Sequence, residues 1–379
     1  MRRIAFLFLG ETHLIPHLFP LLIATARQRP DMPIDAWVPT SVHADLLRQF
    51  LAGEKLQQVR LRPTINFREM GSRWPDGRNP PLPSKAATLV LNAFSIARYD
   101  TVVCAERTSL WIPRFLPGCG RFLFTFHGAG PFNKWRDTRN LAAWRLLVPS
   151  EDQRRLSIEG GVDPDRVVVT GYTKAHFKGL AARRELFANG KPVVVYAPHW
   201  ERHRSSWWDW GTGILNALAQ QREYNVIFAP HLRLVEKAPE VREIAGRLNA
   251  LDHVHADIES FAMVDGSYMG AADIYLGDSS SQVVEFLVRP RPCVFVNSKA
   301  VDWQGDASYT FWNCGDVVNN PAEIMRGIVQ ARARHALYEQ TQRDFVVRSL
   351  GNTGEEGLSL AVTEIISAAD GLVSDAGGF

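Results

Sequence analysis

Ala271-Ala-Asp-Ile-Tyr-Leu-Gly-Asp-Ser-Ser-Ser-Gln-Val-Val-Glu-Phe-Leu-Val-Arg-Pro-Arg-Pro-Cys-Val-Phe-Val296 reads as strand, polar turn, helix, strand, and that reading decides the fold. Ile274 to Gly277 is a short apolar run, Asp278 to Ser281 supplies hydroxyls and an N-cap, and Gln282 to Val288 continues at helical spacing until Pro290 and Pro292 stop it. Cys293 to Val296 is then a second buried strand. A turn of this kind aims the unpaired N–H groups of the first helical residues beyond the strand ends, where an anion is the natural occupant. Three serines that merely cap a helix are the plainer alternative, so the rest of the chain has to decide.

Outward from that stretch the same alternation recurs. Ile4–Leu9, Ile34–Val38, Val59–Leu61, Thr101–Cys104, Phe122–Phe126, Leu146–Val148 and Arg166–Thr170 are strand-like, with helices near 17–28, 42–50 and 85–97. The Pro-, Gly- and Arg-rich segment 66–84 predicts a long mobile loop. A second series runs through Val193–Tyr196, Val226–Phe228, Val254–Ala256, Ile274–Leu276 and Val294–Val296, and from about Pro321 the chain is mainly helical. The pattern predicts an α/β protein of two doubly wound, Rossmann-like domains facing a central cleft, because ligands of open α/β sheets bind beyond the carboxyl ends of the strands. The expected divisions are residues 1–180 for an acceptor-side domain, 181–335 for a nucleotide-donor domain, and 336–379 for C-terminal helices that cross back to the first.

Composition agrees with an enzyme-sized globular chain. With 379 residues and 46% apolar content it can bury two cores, which excludes a disordered regulator. A formal charge of +3 is too small to argue for nucleic acid, though it suits an anionic substrate or surface. The four cysteines, Cys104, Cys119, Cys293 and Cys314, show no paired metal-site spacing, so reduced thiols in a cytoplasmic protein are expected. Arg2 and Arg3 before Ile4–Leu9 imitate a secretory signal, but Glu11, His13, Pro16 and His17 break the apolar stretch too early. No segment has the length of a transmembrane helix.

Several polar residues fall just after predicted strands. His127 leaves the apolar run Phe124-Thr-Phe126 and is followed by Gly128 and Gly130, which permit close backbone approach. A histidine there can act as general base, or simply satisfy its own turn. Val193-Val-Val-Tyr-Ala-Pro-His-Trp200 and Val226-Ile-Phe-Ala-Pro-His-Leu-Arg233 both run a strand into Ala-Pro-His, so His199 and His231 project from neighbouring loops.

In that order, from His127 to Asn297, the chain resembles the CDP-glycerol:poly(glycerophosphate) glycerophosphotransferases, the teichoic-acid polymerases and primases built on the GT-B fold. The matching pieces are His127-Gly128, Gly171-Tyr172, Tyr196-Ala-Pro-His-Trp200, His231, and Asp278-Ser-Ser-Ser281 with Glu285. The departures are Ala129 and His199 where the family has Thr, Leu232 where it has Pro, and Ser279 where it has Tyr. They loosen the donor's identity, so a cytidine- or uridine-diphosphate-linked donor is implied. Gly10-Glu-Thr-His13 also resembles the first strand-to-helix turn of GT-B enzymes, making Gly10, His13 and Gly128 acceptor-side candidates.

What the resemblance implies is a transferase that moves a glycerol-phosphate, other polyol-phosphate or sugar unit to a polyol-phosphate, glycan or lipid-linked acceptor of the cell envelope. His127 would be the general base. His231 would hold the donor phosphates with Asp278, Ser279, Ser280, Ser281, His199 and Tyr172, and Glu285 would reach a ribose diol. No cofactor and no metal are expected, nor any nucleic-acid partner. Trp207, Trp208 and Trp210, with nearby arginines, fit a peripheral contact at the inner face of the membrane, a stacked sugar, or the core. The rival enzyme is a nucleotide-sugar glycosyltransferase or a UDP-N-acetylglucosamine 2-epimerase of the same fold, and a third reading is a non-catalytic nucleotide-binding assembly protein.

Overall fold

Every strand pair among the described residues is parallel. That is the expected outcome for short, doubly buried apolar runs separated by helices, since a parallel pair needs a crossover and the helices of that crossover cover both faces. The protein, a computed structural model, is described over residues 2–71, 78–128, 136–177 and 185–372; Ala129, Gly130 and the glycine-rich tail lie outside the described residues. Two compact units result. The first joins Met1–Gly128, Asn133–Phe177 and Ser349–Phe379, and the second is chiefly Lys178–Arg348.

The first unit contains β1 (Ile4–Leu7), β2 (Ile34–Thr40), β3 (Val59–Arg68), β4 (Thr101–Cys104), β5 (Arg121–Thr125), β6 (Arg145–Val148) and β7 (Val167–Val169), ordered β3-β2-β1-β4-β5-β6-β7. β1 is buried along its whole length, with Ile4 beside Ile34 on one side and Thr101 on the other. β3 is longer than its apolar core predicts and carries Pro63, which an edge strand tolerates because one side of its backbone needs no ladder partner. The last helix, Glu355–Asp370, packs on the helix Ile15–Gln28. A buried ion pair between Arg145 Nε and Glu364 Oε2 at 3.1 Å ties that helix to β6.

The second unit contains β8 (Val193–Ala197), β9 (Asn225–Phe228), β10 (Val254–Ala256), β11 (Ile274–Gly277), β12 (Cys293–Val296) and β13 (Asp316–Val318), ordered β10-β9-β8-β11-β12-β13. Lys178, rather than residue 181, opens this unit, and residues 336–348 stay with it. In both sheets the order reverses beside the first strand, between β1 and β4 and between β8 and β11. Both units are therefore doubly wound, and each has a switch point at its carboxyl edge where ligands of such sheets bind.

Candidate functional site

At the switch point of the first unit, the chain leaves β1 through Gly10 and enters a single turn, Thr12–Leu14, before the helix Ile15–Gln28. A methyl group on Gly10 would stand 2.3 Å from Leu14 Cδ1 and 3.0 Å from Glu106 Oε2, so any larger residue would have to displace the ends of those two side chains. Buried His43 donates from Nε2 to the Gly10 carbonyl oxygen at 2.9 Å, while its Nδ1 receives the Thr40 hydroxyl at 2.8 Å. Burial lowers its pKa to about 4, so this brace remains neutral.

Three histidine rings gather beside that turn. His127, just beyond β5, lies with its ring centroid 6.0 Å from that of His13 and 6.2 Å from that of His17. Its Nδ1 is 2.8 Å from the Ala105 carbonyl oxygen. A carbonyl can only accept, so Nδ1 carries the proton and Nε2 keeps a lone pair. Burial, reinforced by the neighbouring His13, lowers its pKa to about 4. His13 itself meets Glu11 Oε2 at 3.2 Å.

Tyr172 sits here too. It is buried in the first unit with its ring 5.3 Å from that of His17, so the structure groups it with the histidines here and not with the serine turn of the second unit. His17, Lys174 and Arg107 belong to the same neighbourhood and were not singled out from the sequence. His17 is fully buried and its pKa is driven well below the usual range by burial and then by the Lys174 charge. Its spacing of four from His13 was the available signal. Arg107 lies over the rings of Phe124 and Phe126 at 5.5 and 5.1 Å, and burial lowers its pKa. The neighbouring carboxylates are taken by other cations, Glu106 by Lys85 at 2.5 Å and Asp137 by Arg139 at 2.5 Å.

At the switch point of the second unit, Asp278 follows β11 with its carboxylate turned inward. It accepts from His199 N–H at 2.8 Å, Ser206 N–H at 2.6 Å, Ser206 Oγ at 2.8 Å and Ser279 N–H at 2.8 Å. Burial nevertheless raises its pKa to about 6, outweighing the four hydrogen bonds. Asp278 is thus the latch that joins the loops after β8 and β11, with its carboxylate engaged by the protein's own donors.

The helix after the serines is also shorter than expected, Gln282–Phe286. Five residues give little macrodipole, and Ser281 caps it without a side-chain hydrogen bond. Ser280 Oγ accepts from Gln282 N–H at 3.3 Å, Ser279 Oγ is buried with no partner among the described residues, Ser281 is exposed, and Glu285 is buried on the short helix.

His199 and His231 lie on the loops that follow β8 and β9. They leave neighbouring strands β8 and β9, and their ring centroids are 5.5 Å apart. Each Nδ1 accepts a backbone N–H two residues on, from Glu201 and Arg233 respectively, both at 3.2 Å. The neutral rings therefore carry their protons on Nε2. For His199, burial followed by the charges of Arg204 and His203 lowers the pKa to about 4. Trp200 lies beside both rings, with Arg233 and Lys237 each 5.5 Å from its centroid.

The first of the three tryptophans is core. Trp207 is buried and stacks on Phe228 at 5.8 Å, and Trp208 and Trp210 pack partly buried against the same core. Their π-helical turn, Trp207–Gly211, begins at Ser206, the residue held by Asp278. Of the three alternatives, core packing accounts for Trp207, whereas Trp208 and Trp210 keep part of their surface exposed. Among the described residues no group of three or more His, Cys, Asp or Glu could hold a metal ion, and no helix is long and apolar enough to cross a membrane.

No protein-family model and no curated protein sequence matches the chain. Solved structures do. The wall teichoic acid polymerase TagF aligns with a TM-score of 0.62 at 13% identity, covering 97% of this chain and 89% of its own. A UDP-GlcNAc 2-epimerase from Neisseria meningitidis bound to UDP-GlcNAc aligns at 0.60 and 13% identity over 97% and 99%. S. aureus MnaA, in a co-structure with UDP, aligns at 0.60 and 13% over 100% and 99%. The fold is GT-B-like. At these identities the likeness extends to the fold and no further, and it is shared by a polymerase and by epimerases alike.

Proposed function

We propose that the protein is a transferase that moves a glycerol-phosphate, or a related polyol-phosphate or sugar, from a nucleotide-diphosphate donor, CDP-linked, to a polymer or lipid-linked acceptor of the cell envelope. The observation that carries the reading is the opposed tautomers of its strand-end histidines. His127 is pinned as an Nε2 base, and His199 and His231 are pinned as Nε2–H donors.

In that chemistry the acceptor hydroxyl loses its proton to His127 Nε2 as its oxygen bonds to the donor phosphorus. The phosphorus–oxygen bond to the nucleotide breaks, and the nucleotide monophosphate leaves with the electron pair. The two Nε2–H groups in the second unit donate to the diphosphate oxygens, where charge builds as that bond breaks. Such donors need no protonation to act, which suits the low pKa of His199. Arg107, beside His127, supplies a cation for an acidic acceptor. Nucleotide-activated donors are made in the cytoplasm, so the protein would work there, at the inner face of the membrane when its acceptor is lipid-linked.

The second reading is a nucleotide-sugar epimerase. Glu11 and Glu106, at the ends of β1 and β4, are the carboxylates it would use, although each already meets a basic partner. The test is nucleotide release from CDP-glycerol with and without a glycerol-phosphate-primed acceptor, alongside UDP-GlcNAc alone followed by nuclear magnetic resonance. Acceptor-dependent CMP release supports the transferase. Conversion of UDP-GlcNAc without an acceptor would replace it with the epimerase.

A further inference from the structure

The helix Lys85–Ile96 carries apolar side chains on two faces, with Leu89, Ala93 and Ile96 against the core and others turned outward. Its buried residues include Thr88 and Asn92, while Val90 and Phe94 stand 73% and 75% exposed and Leu91 is exposed beside them. The reason for the polar inner face is the edge strand β3. Asn92 Oδ1 accepts from the backbone N–H of Ile65 at 3.0 Å, Asn92 Nδ2 donates to the Thr88 carbonyl at 2.7 Å, and Asn66 Nδ2 donates to Thr88 Oγ1 at 2.8 Å. One side-chain amide thus occupies an N–H of the sheet edge, and of the other two bonds the one from Asn66 holds the helix beside it.

Nothing of that kind explains the outer face. Ile65, held against Asn92, is 68% exposed, which extends the apolar strip from the helix onto β3. The short helix Trp111–Phe115 packs beside Lys85–Ile96, with exposed Phe115 stacked on Trp111 at 5.2 Å and Arg114 over the Trp111 ring at 5.4 Å. Single exposed apolar side chains are ordinary on a protein surface, whereas a contiguous group marks an interaction face.

Charge selects the partner. Residues 78–99 contain no Asp or Glu, and neither do residues 107–121. Arg98 follows Phe94 by one helical turn, and Arg114 flanks Phe115. Aromatic and branched side chains bordered by arginine suit the boundary between anionic headgroups and acyl chains, and the acids next in sequence, Asp100 and Glu106, are engaged by the Arg3 N–H and by Lys85. We propose that this face of the first unit docks on an anionic lipid surface, with Ile65, Val90, Leu91, Phe94 and Phe115 entering the interface and Arg98 and Arg114 meeting the headgroups. The docking face goes beyond the transferase reading and does not depend on it.

The test is co-sedimentation of the full chain with phosphatidylcholine vesicles with and without phosphatidylglycerol, at low and high salt. The expected result is phosphatidylglycerol-dependent binding, weakened on the order of tenfold by Val90→Ser with Phe94→Ser. Arg98→Glu with Arg114→Glu, which leaves the apolar strip whole, should remove the dependence on phosphatidylglycerol. Unchanged circular dichroism and thermal midpoint in each variant separate lost docking from lost fold. Equal binding by all three proteins, equal binding to both vesicles, or no binding by the parent chain would overturn the proposal. So would a dimer in analytical ultracentrifugation that dissociates in the Val90→Ser, Phe94→Ser variant, because the occupant would then be a second copy.

Discussion

His127 Nδ1 lies 2.8 Å from the carbonyl oxygen of Ala105, and that one hydrogen bond decides which nitrogen of the ring can take a proton. A ring with its pKa lowered to about 4 is in the base form throughout the neutral range. Acceptor-dependent CMP release should therefore show kcat/KM that is level from pH 8 down past 6.5 and declines only as the pH nears 4. An acid limb centred between pH 6 and 7 would mean that His127 is not the base in this environment. His127→Ala should lower kcat by roughly two to four orders of magnitude with the thermal midpoint retained.

Asp278 predicts a stability signature. Its folded pKa, about 6, lies above the ordinary 3.8, so between those values the folded state holds a proton that the unfolded state has released. Its contribution is full below the unfolded pKa and is lost as the pH rises through 6. The stability of the parent chain relative to Asp278→Asn should thus grow as the pH falls from 7 to 4, by roughly 3 kcal/mol for a displacement of this size. Buried His43, His127 and His199 have lowered pKa values and run the other way, losing stability as the pH falls from 6.5 towards 4. They cancel in the comparison, which paired urea titrations across pH would measure. A flat difference would place the charge of Asp278 in a wetter setting than the four hydrogen bonds describe.

Strand positions were legible because a doubly buried parallel strand must be a largely apolar run, and Thr101–Cys104, buried along its whole length, read out to the residue. β13 was not, because Asp316-Val-Val318 is three residues long and begins with an acid that the Tyr338 hydroxyl and Arg334 neutralise from a distant helix and turn. At the site, the strand ends placed His127 beyond β5, His199 beyond β8 and His231 beyond β9. The roles of Asp278 and the tryptophans were hidden for a common reason. Ser206 brings the π-helical turn to the Asp278 carboxylate from 72 residues away, and no local pattern in either segment announces that pairing. His17 escaped because its partner Tyr172 arrives from across the unit.

The return of the C-terminal helix rests on Arg145 and Glu364, both almost fully buried. Removing one member of such a pair leaves the other charge desolvated, so Glu364→Ala should cost about 3–5 kcal/mol. Arg145→Met with Glu364→Leu should recover most of that loss, since two apolar side chains need no mutual compensation. Chemical denaturation of the three variants decides the matter. A cost below about 1 kcal/mol for the single change would show the pair to be solvated.

The histidine pair gives the sharpest test of the donor site. Both Nε2–H groups come from loops of adjacent strands, with the rings 5.5 Å apart, so one diphosphate can engage both. A hydrogen bond to a charged oxygen contributes about 1.5–3 kcal/mol, or on the order of ten- to a hundredfold in affinity. His199→Ala and His231→Ala should each weaken CDP binding by that factor while cytidine binding is unaltered, because the nucleoside has no phosphate to lose. The double variant should lose less than the product of the two, since the second donor acts on a ligand already displaced by loss of the first. Calorimetry with CDP and cytidine reads both quantities. Equal losses for the two ligands would move the pair from the phosphates to the base or ribose, and undiminished CDP binding in both single variants would remove it from the donor site altogether.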